Sequence, residues 1–96
     1  MNDTPHERIA VACEPTADGW SCAVDVVNNE STTHHVVTLS RAQLERYGNG
    51  TRDPEAVVDA AFRFLLQREH KESILRRFAI GEIERYFPEF GYGRER

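Results

Sequence analysis

The sequence lacks the features that usually identify an enzyme, a membrane protein or a secreted protein. It has only two cysteines and a single lysine, Lys71, and no apolar run of the roughly 20 residues that a membrane helix needs. Neither a phosphate-binding glycine loop nor a dinucleotide-binding glycine pattern is present. The first residues, MNDTPHERIA, lack the charged-then-apolar order of a signal peptide. We therefore predict a cytoplasmic, non-enzymatic protein with no cofactor, no bound metal and no membrane contact.

Length and composition limit the architecture further. The chain has 96 residues, of which 40% are apolar, so it can form one domain with a core but not two. We expect this domain over residues 7–90, with a flexible N-terminus at residues 1–6 and a disordered tail at residues 91–96. The formal net charge of -4 argues against a protein that wraps nucleic acid by charge alone.

Alternation of apolar and polar side chains predicts three β-strands in the first forty residues. They span roughly residues 7–13, 19–28 and 33–39, and the third is rich in β-branched residues. Pro15 and Gly19 supply turn chemistry between the first two strands. We therefore expect an antiparallel sheet that begins with a hairpin.

Helical spacing and end signals predict the remaining elements as helices. The predicted ranges are a short helix at 41–47, a main helix at 54–69, and short C-terminal helices at 71–78 and 81–87. Ser40 and Gln43 fit a capping box before the short helix, and Gly48-Asn49-Gly50 fits its end. A break near His70 separates the main helix from the next. The fold class is therefore α+β.

The main helix carries a wide apolar stripe that the rest of the chain can cover. Asp53 can cap its first N–H groups, and Pro54 fits the first helical position without losing a needed donor. The stripe recurs at helical spacing through Val57, Val58, Ala61, Phe62, Leu65 and Leu66. Asp59 and Arg63 lie opposite it as an i,i+4 ion pair. Such a helix is expected to pack against a sheet on one side and the C-terminal segment on the other.

Three short stretches in this region, FRFLLQRE, ESILRRF and IERYFPEF, carry a resemblance to other proteins. The chain resembles a family of short bacterial proteins with an "FLLxRE…ESIL…YFPE" signature and no known activity. The resemblance implies a stand-alone bacterial domain and brings no catalytic or binding residue. His70 stands where proline would be expected after the Arg-Glu pair.

Cys13 and Cys22 flank the first turn and would lie roughly opposite each other in a hairpin. We expect them to be reduced thiols that pack as small core residues. The alternatives are a redox pair, a metal site with a histidine, or a Cys22–His35 nucleophile and base. Since adjacent strand residues point to opposite faces, His34 and His35 cannot both join one site.

A concentration of cations and a surplus of aromatic side chains suggest two different functions. Arg68, Lys71, Arg76 and Arg77 could form a nucleic-acid patch, although a solvated helix face is the more ordinary interpretation.

The chain has more large aromatic side chains than a small core readily encloses, namely Trp20, Phe64, Tyr86 and Phe90. Aromatic side chains that remain exposed favour a partner surface. We therefore predict a protein-interaction or self-association module, with a homodimer expected. The alternative is a small nucleic-acid-binding regulator that uses the basic segment 63–77. No small-molecule ligand is identifiable.

Overall fold

The computed structural model describes residues 7–92 and shows an α+β domain built on one mixed sheet. Its strands are β1 (Arg8–Pro15), β2 (Gly19–Val27), β3 (Thr32–Ser40) and β4 (Arg77–Ala79), in the order β1-β2-β3-β4. The first three are antiparallel neighbours, whereas β4 runs parallel to β3. The predicted fold class and the three predicted strands are confirmed. The predictions for residues 1–6 and 93–96 lie outside the described residues.

The helices follow the three-stranded part of the sheet. They are α1 (Arg41–Gly48), α2 (Pro54–Leu66), α3 (Gly81–Tyr86) and α4 (Glu89–Tyr92), and a single 3-10 turn (Lys71–Ser73) follows α2. Within residues 7–92 none of them has the length and apolar character that crossing a membrane would require.

The predicted helix over 71–78 is wrong, because only residues 71–73 form a 3-10 turn and the range ends in β4. The free edge of β3 offers backbone groups that need partners, and the segment after the 3-10 turn supplies them. The Val36 N–H donates to the Arg76 carbonyl at 2.7 Å, and the Ile80 N–H donates to the Thr38 carbonyl at 2.9 Å. A three-residue strand is too short to show a period of two, so its apolar spacing also fits a helix.

The ends of the helices follow their sequence signals, with two differences. Ser40 and Gln43 form the predicted capping box, and Asp53 caps α2 with proline at its first turn. Asn49, at φ 53°, adopts the left-handed conformation that ends α1. However, α2 ends at Leu66 and not at residue 69, and residues 91 and 92 belong to α4 and not to a disordered tail.

The core lies between α2 and the inner face of the sheet. The stripe on α2 is buried as predicted at Val57, Val58, Ala61, Phe62 and Leu65. The sheet supplies Cys22, Val24, Val26, His35, Val37 and Leu39 from alternate positions of β2 and β3. Phe62 is fully buried, with its ring centre 5.2 Å from that of His35 and 6.0 Å from that of Phe78.

Cys13 and Cys22 are joined by a disulfide, so the expectation of reduced thiols is wrong. The two residues are directly opposite in the register of β1 and β2, and their Cα atoms lie 3.9 Å apart. This places them at a close pair of an antiparallel ladder, where the two residues do not exchange backbone hydrogen bonds. The register of the hairpin therefore brings the sulfur atoms together.

Candidate functional site

The six side chains predicted to bind a partner do not form one surface; they are Trp20, Phe64, Arg68, Lys71, Arg76 and Arg77. Trp20 is half-buried at the start of β2, and the guanidinium carbon of Arg41 lies 5.6 Å from its ring centre. Lys71 is only 3% exposed, although a charged ligand-binding residue was expected there. Its Nζ donates to Ser31 at 2.7 Å and to Glu72 at 2.8 Å. Lys71 therefore anchors the 3-10 turn to the loop between β2 and β3, and it does not face a ligand.

Among these six, Phe64 and Arg68 pack directly against each other. The guanidinium of Arg68 stacks 3.7 Å from the ring centre of Phe64, and its Nε pairs with the Glu89 carboxylate at 3.3 Å. Arg77 is the first residue of β4 and Arg76 precedes it, and both are exposed at the edge of the sheet. The cations therefore do not form a continuous basic patch. The depression beside Phe64 and Arg68 is lined by apolar residues together with the Arg68–Glu89 ion pair.

A different surface gathers exposed apolar side chains between the end of α2, the 3-10 turn and α3. We call it the Leu75 groove, and it has a volume of about 300 Å³. Its floor consists of the buried side chains Leu65, Ile74, Phe78 and Ile83. Leu75 and Tyr86 stand on its rim, and Phe87 lines it as well.

The rim residues are the large apolar side chains most exposed to solvent in the described part of the chain. Leu75 is 50% exposed and Tyr86 is 70% exposed. Single exposed apolar residues are common, whereas these two border the same apolar groove. Glu69 and Glu82 also line the groove and add carboxylates beside this apolar surface.

Two polar clusters hold the walls of the Leu75 groove in place. In the first, the Glu84 carboxylate on α3 accepts from Arg46 at 2.7 Å and from the Tyr47 hydroxyl at 2.6 Å, both on α1. Hydrogen bonding to Arg46, and then to Tyr47, holds the pKa of Glu84 below its ordinary value. Burial, followed by the bond to Glu84, raises the pKa of Tyr47. The cluster therefore fixes α3, which carries Ile83 and Tyr86.

The second cluster fixes the segment that carries Leu75. His35 Nδ1 lies 2.8 Å from the Leu75 carbonyl, and His35 Nε2 lies 2.9 Å from the Thr33 hydroxyl. Because a carbonyl only accepts, Nδ1 carries the proton. At the start of the segment, hydrogen bonding to Lys71 lowers the pKa of the Glu72 carboxyl, which is therefore held as an anion. The hydrogen bond from His35 therefore holds the Leu75 backbone in place, while the Leu75 side chain is exposed to solvent.

The groups that could have supported catalysis or metal binding are engaged elsewhere. Cys22 is bonded to Cys13, so it cannot act as a nucleophile with His35 as its base. His34 lies on the outer face of the sheet and pairs with Asp25 at 2.6 Å. The prediction that the two adjacent histidines diverge is therefore confirmed. Among residues 7–92, no three His, Cys, Asp or Glu side chains are grouped so that they could hold a metal ion.

Of the two rim residues of the groove, Tyr86 is predictable from the sequence and Leu75 is not. Tyr86 was expected among the aromatics left outside the core. Leu75 falls within the predicted helix over 71–78, but the segment is extended there and its side chain turns away from the core. Its signal is the adjacent pair Ile74-Leu75, since two neighbouring apolar residues in an extended segment cannot both face the core.

Comparison with protein-family models, with curated proteins and with solved structures finds no match to this chain. The resemblance to short bacterial proteins therefore stays a prediction, and the function has to be argued from the site itself.

Proposed function

We propose that this protein is a non-enzymatic protein-interaction module that binds a peptide segment of its partner in the Leu75 groove. The observation that carries the proposal is the exposure of Leu75 and Tyr86 on the rim of one apolar groove. Burying both side chains under a partner removes apolar surface from water, at about 25 cal/mol per Å². Large side chains in such a position are typical anchors of an interface.

The charge of the groove specifies the chemistry of the partner. Glu69 and Glu82 line the same groove as the apolar rim, whereas its other lining residues are uncharged. A segment with one or two large apolar residues beside a lysine or arginine would satisfy both features. The groove of about 300 Å³ is at the low end of the range for small-molecule sites.

A displayed library of random peptides, selected on the purified protein, tests this proposal. We expect the enriched peptides to combine a large apolar residue with a neighbouring lysine or arginine. Fluorescence polarisation of a labelled enriched peptide should then show at least about tenfold weaker binding to Tyr86→Ala and to Leu75→Ala, as anchors typically cost 1–2 kcal/mol or more.

The matched control is Arg85→Ala, because Arg85 is exposed beside Tyr86 but does not line the groove. Its affinity for the peptide should equal that of the unaltered protein. Thermal unfolding of all variants must remain similar, since both rim side chains are exposed. The proposal is refuted if no peptide is enriched, or if the enriched peptides bind equally well to the two rim variants.

A further inference from the structure

The edge of the sheet formed by β1 is a second surface, and it is independent of the Leu75 groove. β1 is the first strand in the sheet order and is eight residues long, and in the described part of the chain it pairs only with β2. Long edge strands present unpaired N–H and C=O groups, which are a template for another strand. The opposite edge, β4, has only three residues and offers a much shorter template.

One hydrogen bond shows which backbone groups of β1 face outward. The Cys13 N–H donates to the Glu55 carboxylate of α2 at 3.2 Å, so it points away from β2. Because backbone groups alternate along a strand, those of Ile9 and Val11 also point outward. The even-numbered residues between them bond to β2.

The side chains at the two ends of β1 have opposite charge. Arg8 and Glu14 are both exposed, and both lie on the sheet face away from the core. Ala10 and Ala12 lie between them on that face and are small and exposed. On the other face, Ile9, Val11 and Cys13 pack against the core.

We propose that two copies of this chain associate by pairing their β1 strands antiparallel, with Val11 opposite Val11 of the second copy. This register aligns the outward backbone groups of Ile9 with those of Cys13, and it forms about six hydrogen bonds between the copies. It also places Arg8 directly opposite Glu14 of the second copy, twice by symmetry. Sliding the strands by two residues keeps the backbone pairing but separates both ion pairs.

Glu55 competes with this association. Its carboxylate occupies the Cys13 N–H, which the second copy must take over. Charged side chains that cover an edge strand limit uncontrolled pairing, and Glu55 acts here in that way. Removal of the Glu55 carboxylate should therefore tighten the dimer, while removal of the terminal charges should weaken it.

Sedimentation equilibrium of the full chain from micromolar to millimolar concentration tests the proposal through a charge exchange. Arg8→Glu should weaken the dimer about tenfold, because two attractive pairs become repulsive. Glu14→Arg should do the same, and the double variant Arg8→Glu/Glu14→Arg should restore the dimer. Glu55→Ala should lower the dimer dissociation constant. Arg52→Glu, an equal charge change at an exposed site outside β1, should leave it unchanged.

Three outcomes would overturn the proposal. These are a wild-type monomer at millimolar concentration, a dimer that Arg8→Glu leaves intact, and a double variant that fails to recover association while its unfolding temperature matches that of the wild type. The second outcome, if accompanied by loss of the dimer in Tyr86→Ala, would assign the association to the Leu75 groove. Since the peptide-binding assay does not involve β1, failure here leaves the proposed function standing, and the reverse holds as well.

Discussion

Reduction of the Cys13–Cys22 disulfide should destabilise the protein measurably. The two cysteines are nine positions apart in the sequence. In the chain-entropy description, opening a loop of this length increases the freedom of the unfolded chain and lowers the free energy of unfolding by about 2.5 kcal/mol at 25 °C. This is a large fraction of the about 5–15 kcal/mol typical of a domain. Cys22 is fully buried, so the released thiol also has to be accommodated within the core.

Urea denaturation followed by circular dichroism, with and without a phosphine reductant, measures this difference. Thiol titration of the denatured protein should find no free thiol before reduction and two after it. The variant Cys13→Ala/Cys22→Ala is the control, because its stability should not respond to the reductant. Two free thiols in the untreated protein would refute the assignment of the disulfide, and equal stability in both forms would refute the entropic argument.

Three other perturbations test the packing, a helix end and the acid response. Phe62→Ala should lower the free energy of unfolding by about 3–5 kcal/mol, because it empties a fully buried site; a loss below 1 kcal/mol in urea would contradict the burial. Asp53→Ala should cost about 1 kcal/mol in the same assay, as it removes the cap of α2, and Asp53→Asn should retain most of that stability. Arg46 and Tyr47 lower the pKa of Glu84 in the folded protein. The contribution of Glu84 to the free energy of unfolding is therefore fully present above its ordinary pKa near 4.5, and it is lost as the pH falls through the lowered pKa. The stability difference between wild type and Glu84→Gln should therefore shrink in acid, and a difference that does not change with pH would be inconsistent with this linkage.

Features encoded by neighbouring residues could be predicted from the sequence. The capping box at Ser40 and Gln43 and the cap at Asp53 are made within three residues, so the residue types suffice to identify them. The same holds for the three long strands, whose alternation covers enough residues to be recognised. β4 could not be predicted in this way, because its strand conformation depends on the distant edge of β3.

The candidate site was less predictable, because exposure depends on contacts across the whole fold. A basic segment in the sequence suggested one surface, yet Lys71 turns inward to Ser31 and Arg68 stacks on Phe64. Lys71 and Ser31 are 40 positions apart in the sequence, and the charge pattern carries no information about such a contact. Leu75 became a rim residue only because the segment around it is extended and not helical. In a short segment the apolar pattern does not distinguish between these two conformations.

The two proposed surfaces lie at opposite edges of the sheet, and this arrangement determines what a dimer could do. The Leu75 groove includes Phe78 of β4, whereas association uses β1. Pairing β1 with its copy would form a continuous eight-stranded sheet, with the two β4 strands about 34 Å apart at strand spacings of about 4.8 Å. Two grooves at that separation suit a partner that is itself dimeric or that repeats its binding segment. A tandem of two enriched peptides, joined by a flexible linker long enough to span both grooves, should then bind at least about 100-fold more tightly than one peptide. Arg8→Glu should remove most of this gain at concentrations where it is monomeric, without changing the affinity for the single peptide. If the tandem binds the wild-type dimer no more tightly than the single peptide, the two grooves are not accessible to one partner together.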